Sequence, residues 1–377
     1  MNAGARVVTD ELNAGITWLA EPLVRSAGGP LAGARLLVKD LIDTAGVRTT
    51  YGSGLYADHV PDRDATVVSR ALGAGAALVG KGSLPEFAWG VLGVNHRFGT
   101  CHNPVRPGLT TGGSSSGNAA ALAAGLCDLA IGTDTGCSIR LPAACCDVVG
   151  LKPRWGLIPI DGVHPLVPSL DTVGPMARTV GDTARLWSVL AERPVPAPRL
   201  EGLTVGLLRR PPEVGDGRPT EVSDEAEGWV ADLERLGARV VERAVPDAPA
   251  ETWPVFLHEA ARSHAATFPA RADEYGPVMR AKLELAHAVA PDDVLTGYRA
   301  LLEWRAFEPD VDLYLSPCVG IDLPAENVDE LEVRLPLSSF LRWVNLVGWA
   351  GLAVGNLQLI APRDEVVLAA GLALERG

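Results

Sequence analysis

The chain has 377 residues, 47% of them hydrophobic, enough to bury a substantial core in one large α/β domain or two ordinary ones. A net charge of −13 and the lack of any long Lys/Arg cluster argue against a phosphate-tracking face, so nucleic acid is not an expected partner. The N-terminal MNAGARVVTDELNAG lacks the basic start and apolar run of a signal or anchor, and the expectation is a cytoplasmic protein.

In chain order, Ala34 to Val38 reads as a strand running into a polar turn, which sets Lys39 at the strand's end. DATVVSRALGAGAALVGKGS follows as a helix and then a strand, with Gly73 and Gly75 in the connection. Thr111 to Gly125, TGGSSSGNAAALAAG, sets three serines between glycines and leads into a helix over Asn118 to Leu126. Leu129 to Gly132 is a short strand, and GTDTGCSIRLPAA is a second small-residue loop.

The Pro-rich segment Glu192 to Gly202 is the one candidate linker. Beyond it the α/β alternation restarts. LTVGLLR is a strand, SDEAEGWVADLERLGA a helix opened by Ser223, RVVERAVPD another strand, Ala248 to Pro309 mainly helical, and VDLYLSPCVG a buried strand. Strands on the two sides of the linker can share a sheet, which favours one composite domain. The stretch between Arg342 and Arg363 carries no charge, but Asn345, Asn356, Gln358 and three glycines make it a buried helix followed by a buried strand, not a membrane span.

Six cysteines show no C-x-x-C pair and no zinc spacing, so reduced buried thiols and no metal are expected. Of 33 basic residues only Lys39, Lys81, Lys152 and Lys282 are lysine. Arginine stays protonated whereas burial can drive lysine neutral, so a lysine in an arginine-biased chain is a candidate proton acceptor.

Gly113 to Gly117 satisfies G-x-S-x-G, but the preceding NPVRPGLTTG is no strand, and His164, His258, His264 and His287 lie in no recognisable setting. A Walker loop requires Lys-Ser/Thr after its last glycine, where this chain has Asn118-Ala119. The remaining reading joins Lys39, the loop Gly112 to Gly117 and Ser138. A neutral lysine acting through a second hydroxyl activates a serine without histidine, and glycine-rich loops leave N–H groups for an oxyanion.

GPLAGARLLVKDLIDTAGVRTTYGS, LVGKGSLPEFAWG, TGGSSSGNAAALAAG, GTDTGCSIRLPAACCDVVGLKP and HPLVPSLDTVGPMARTVGD resemble the amidase signature family in order and spacing, from about Gly29 to Leu190. A weaker match, NLQLIAPRDEVVLAAGLALE, lies near the C-terminus. The resemblance implies an α/β fold, a central mixed β-sheet flanked by helices on both faces. It also implies one domain over 1–377, with a signature core at 33–195, a variable substrate-specificity region at 201–327 and a C-terminal return at 328–377.

By position, it makes Ser138 the acyl-accepting nucleophile, Ser114, after a cis Gly113-Ser114 peptide, the bridging serine, and Lys39 the base. Backbone N–H groups of Thr135, Gly136 and Cys137, continuing to Ser138, form the implied oxyanion hole. Trp89, Gly90, Gly113 and Ser115 are assigned to substrate binding, with Ser115 also supporting its loop, while Lys81 and Lys152 are read as structural. The implied activity is hydrolysis of a small-molecule carboxylic amide through an acyl-enzyme, with no cofactor and no membrane, in a monomer or homodimer. Acyl transfer to an amine, and a catalytically weakened binding subunit, remain open alternatives.

Cys137, Ser116 and Asp147 stand where the family usually has glycine. A β-carbon in a left-handed conformation costs about 1–2 kcal/mol, so Cys137 is expected to displace the oxyanion donors. GLAVGNLQLIAP reads as two strands with their connecting loop cut to almost nothing, which is expected to open one wall of the cleft.

Overall fold

Period-two alternation in Arg35–Lys39 sends Leu36 and Val38 into one hydrophobic core and Leu37 into another. That split, repeated from strand to strand, is why a sheet divides the molecule. The computed structural model describes residues 10–211 and 225–376. Its strands are β1 (Gly15–Val24), β2 (Arg35–Lys39), β3 (Ala77–Gly82), β4 (Leu129–Asp134), β5 (Val149–Lys152), β6 (Thr172–Ala177), β7 (Thr204–Leu208), β8 (Arg239–Arg243), β9 (Leu313–Pro317), β10 (Ala350–Val354) and β11 (Leu357–Ala361). They form one mixed sheet of 11 strands in the order β1-β3-β2-β4-β6-β5-β10-β11-β9-β7-β8. β3-β2-β4 and β9-β7-β8 are parallel runs, and the remaining pairs are antiparallel.

On one face, helices Thr66–Gly73, Val180–Ala191 and Asp364–Arg376 pack over Leu36, Val38, Leu129, Ile131 and Leu359. The opposite face carries helices Ser116–Ala123 and Arg140–Cys145, and, further along the sheet, Trp253–Ser263, Pro277–His287 and Pro291–Arg305. Alternation again decides the sides. Ile360 and Tyr314 face the second group, while Leu313, Leu315 and Leu359 face the first. Strands before and after the Pro-rich segment share the one sheet.

Helix Ser116–Ala123 lies close to the sheet because its inner residues are small. A β-carbon at Gly117 would stand 2.0 Å from the Ala14 carbonyl oxygen and 2.2 Å from the Ser83 nitrogen, so only glycine fits. Asn118 ties the helix down by donating from Nδ2 to the Ile131 carbonyl at 2.9 Å.

The uncharged stretch after Arg342 is a short helix, Arg342–Leu346, followed by the antiparallel pair β10–β11, the two closely joined strands expected of GLAVGNLQLIAP. The pair turns through Gly355-Asn356, with Gly355 at φ 54°, and the Asn356 carbonyl and side chain accept from Cys318 N and Val319 N. Among the described residues no helix is long and apolar enough to cross a membrane. Helix Glu225–Arg235 is present, while its expected opening at Ser223 lies outside the described residues.

Trp187 is fully buried between the first group of helices and the sheet, and its indole N–H donates to Asp364 at 3.1 Å. Trp187→Ala is expected to lower the unfolding free energy by about 3–5 kcal/mol, read as a shifted urea midpoint.

Candidate active site

Lys39 ends β2 on the same face as Leu37, beneath the small-residue helix, and no part of it reaches solvent. Its Nζ lies 2.7 Å from Ser114 Oγ, 2.8 Å from Thr133 Oγ1 and 3.5 Å from the Thr133 carbonyl oxygen. Desolvation pulls its pKa down to about 7, against the opposing pull of Asp134 and Asp171. The peptide between Gly113 and Ser114 is cis.

The other two lysines of the signature segments are equally buried but stand apart from the serines. Lys81 donates to the Ile42 carbonyl and to Thr49 Oγ1, with Asp40 3.8 Å away, and Lys152 donates to the Pro153 carbonyl. Burial lowers their amines to about 8 and about 7 respectively.

The loop from Asp134 to Arg140 is wound around the Asp134 carboxylate. That group accepts from the Ile139 N–H at 3.0 Å, Arg140 Nε at 3.1 Å and Asn345 Nδ2 at 2.9 Å. Arg140, wholly buried, also donates to Gln358 Oε1, Asn345 Oδ1 and the carbonyls of Leu341 and Gly136. At its other end the loop is held by Thr135 Oγ1, which donates to Asp171 at 2.6 Å; Asp171 in turn accepts from the Leu166 and Val167 N–H groups. Two contacts join the loops to each other. Ser115 N–H donates to the Ser138 carbonyl at 3.1 Å, and the Cys137 thiol faces the Gly113 carbonyl at 3.8 Å.

Ser138, Thr135, Gly136 and Cys137 form part of the wall of a cavity of about 420 Å³. Ser138 is 7% exposed, whereas Ser114 and Lys39 are both 0%. Of the three, only Ser138 lines the cavity. Trp89 and Gly90 also line it, with Leu166, Leu170, Trp253 and Phe256. Gly113 and Ser115, expected to bind substrate, do not. Both are buried, and Ser115 Oγ donates to the Thr133 carbonyl at 3.3 Å.

Cys137 lies outside the positive-φ region, as does Ser116; of the three departures from glycine only Asp147 occupies it, at φ 51°. The expected backbone strain at Cys137 is therefore absent. Burial raises its thiol to about 12, which keeps it protonated and unsuited to attack. His164 and His264 pack with Phe87 in an aromatic cluster, and burial lowers them to about 4 and about 3. No described histidine lines the cavity.

Two groups of residues escape sequence reasoning. Thr133, Asp134, Arg140 and Asp171 stand inside the signature segments, and the signal is an Asp and an Arg enclosed in a loop of otherwise small residues. The cavity wall formed by Glu330, Arg334, Leu335, Ser338, Arg342 and Leu346 lies beyond the expected specificity region of 201–327, which supplies only Ala248 to Phe256. Neither β10 nor β11 lines the cavity, so their short turn is not at its wall.

A mixed sheet with a desolvated lysine behind two joined serine loops, one of them in the wall of a cavity, defines a narrow class of α/β protein. The family model for Amidase matches residues 8–354, and the chain belongs to the amidase family, with its amidase signature fold. It is 42% identical over 260 residues to a glutamyl-tRNA(Gln) amidotransferase subunit of Natronomonas pharaonis, covering 64% of this chain and 61% of that protein, less than two thirds of its length. It is 39% identical over 316 residues to the putative amidase AmiD of Mycobacterium bovis, covering 78% of this chain and 66% of the relative. The structure of 6-aminohexanoate cyclic dimer hydrolase with its substrate superposes with a TM-score of 0.85 at 25% identity, covering 99% of this chain and 91% of that one.

Two outcomes follow from the site's charges. Asp134→Asn leaves the Arg140 guanidinium buried without a counter-charge and is expected to cost about 3–5 kcal/mol in chemical denaturation. The amines of Lys39, Lys81 and Lys152 lie below the ordinary lysine value of 10.5, so above about pH 7 the unfolded chain holds protons that the folded chain lacks. Their contribution to stability therefore rises with pH through that window, and the rise in urea midpoint from pH 7 to about 9 is expected to shrink in Lys152→Met.

Proposed function

We propose that the chain is an amidohydrolase that cleaves the C–N bond of a small-molecule carboxylic amide through an acyl-enzyme on Ser138, with Ser114 as bridge and Lys39 as base. The observation that carries this reading is the 2.7 Å contact between a fully buried Lys39 amine and Ser114, with Ser138 in the same pair of stitched loops and facing the cavity.

A neutral amine has two hydrogens and one lone pair. Thr133 offers both its hydroxyl and its carbonyl to the hydrogens, which leaves the lone pair for the Ser114 proton. Ser114 in turn takes the proton of Ser138, whose oxygen attacks the amide carbonyl. The developing oxyanion is met by backbone N–H groups of the Thr135 to Ser138 loop, pre-aligned because Asp134 and Asp171 hold its ends. The proton returns through Ser114 to the departing nitrogen, the C–N bond breaks, and water, activated along the same route, releases the acid and restores Ser138.

Likeness to amidotransferase subunits supports a second reading, in which the chain works with a partner and the released nitrogen is passed on. Hydrolysis by the chain alone separates the two.

A fluorophosphonate probe is expected to add once per chain, at Ser138, as read by intact mass. Ser138→Ala and Lys39→Ala are expected to abolish the adduct, and Ser138→Ala to lower kcat/KM on a cleaved amide by at least about a thousandfold. Because Lys39 acts unprotonated, kcat/KM should rise with pH through about 7 and level off above it. An unlabelled native chain that labels after Cys137→Gly would instead support a disabled oxyanion loop and the binding-subunit reading.

A further inference from the structure

The overall charge of the chain is −13, yet its cavity is positive. Helical spacing of four places Glu330, Arg334 and Ser338 along one side of helix Glu330–Ser338, and all three line the cavity. Arg342, from the next helix, joins them. The Arg334 and Arg342 guanidinium carbons lie 5.6 and 5.7 Å from the centre of the Trp253 ring, so two cations converge on one indole.

The Arg342 stem also runs beside the reactive loop, its Cγ 3.3 Å from where a β-carbon of Gly136 would stand. Glu330 is the one acidic residue among the described lining residues, and it is already engaged. Lys282 Nζ lies 2.9 Å from its Oε1 and also donates to the Trp89 carbonyl at 2.6 Å. Among the described residues Arg334 has no carboxylate partner. Trp89, Leu166, Leu170, Phe256 and Leu346 give the wall its apolar part, and its other polar side chains, among them Thr135, Ser138 and Thr252, are uncharged.

We propose that this cavity takes amides whose acyl group carries a carboxylate and no ammonium, the carboxylate being received by Arg334 and Arg342 beside Trp253. The inference rests on the amidohydrolase reading for the fate of the amide but not for its binding. Arginine forks match a carboxylate's two oxygens, and partial burial among apolar side chains strengthens the contact relative to open solvent. An α-ammonium, as in an amino-acid amide, would enter the same positive field with no free carboxylate to meet it. That asymmetry separates an acid amide from an amino-acid amide of equal length.

Binding is tested by calorimetry on the Ser138→Ala chain, which keeps the cavity and does not turn over. Succinamate and glutaramate are compared with the neutral butyramide and valeramide, and with asparagine and glutamine. At least one acid amide is expected to bind tenfold or more tighter than both its neutral and its amino-acid counterpart, and the advantage should fall as salt is raised.

Arg334→Leu should remove the preference and Arg334→Lys should retain part of it. If Arg334→Leu does not fold, the salt dependence and the Arg334→Lys ratio carry the test. Equal binding of acid and neutral amides, or no binding of either acid amide at millimolar concentration, overturns the proposal. Amino-acid amides binding as tightly as acid amides overturn the exclusion of ammonium, and an unchanged preference in Arg334→Leu overturns the assignment to Arg334. A native chain that shows the preference but cleaves none of the amides refutes hydrolysis alone. One that cleaves valeramide and glutaramate equally, with equal affinity, refutes the anion subsite alone.

Discussion

A primary amine sealed away from water governs the architecture around it. Lys39 is charged in solution, and moving it into a site of no exposure disfavours that charge until its pKa falls to about 7. The burial depends on several features at once: strand parity that points Lys39 with Leu37, a helix made of Ser, Gly, Asn and Ala apart from Leu122 and close enough to exclude solvent, and Thr133 and Ser114 in hydrogen-bond reach. Gly117 is part of the same constraint, because a β-carbon there would collide with the Ala14 carbonyl oxygen and the Ser83 nitrogen and push the helix outward.

The second constraint is the Asp134–Arg140 pair. Two charges at zero exposure carry a large desolvation cost, which is offset only where nearly every polar atom finds a partner. Here Asn345 and Gln358, from the C-terminal part of the chain, supply those partners, so the loop bearing Ser138 is fastened to helix Arg342–Leu346 and to β11. The helix that stabilises the loop begins at the arginine that lines the cavity. Loop geometry and cavity charge are thereby coupled through one short element.

The departures from glycine near the site differ in kind. Asp147 occupies a left-handed position, where a short polar side chain is tolerated, and its carboxylate pairs with Arg106 at 2.9 Å. Cys137 needs no such conformation, and its thiol fills space against the Gly113 carbonyl. A substitution for glycine is costly only where φ or space demands glycine, and at Cys137 φ makes no such demand.

Much of the candidate site is legible in the sequence because it is local. Lys39 at a strand end, the glycine-rich loop Gly112 to Gly117 and Ser138 in a second small-residue loop are set by short-range pattern and turn chemistry, the family resemblance singles out Ser114 within the first loop, and the alternation of strand and helix implies the α/β sheet. Residues 192–211 and 342–363 are legible as loop, strand and buried segments, and GLAVGNLQLIAP within them is legible as two strands with almost no connection. What tertiary structure alone decides is which distant residues meet. Asp134 finds Asn345 across 211 positions, Arg140 finds Gln358 across 218, and Arg334 and Arg342 converge on Trp253. Desolvation and pairing of charge depend on the three-dimensional neighbourhood, and neither has a period or a spacing along the chain.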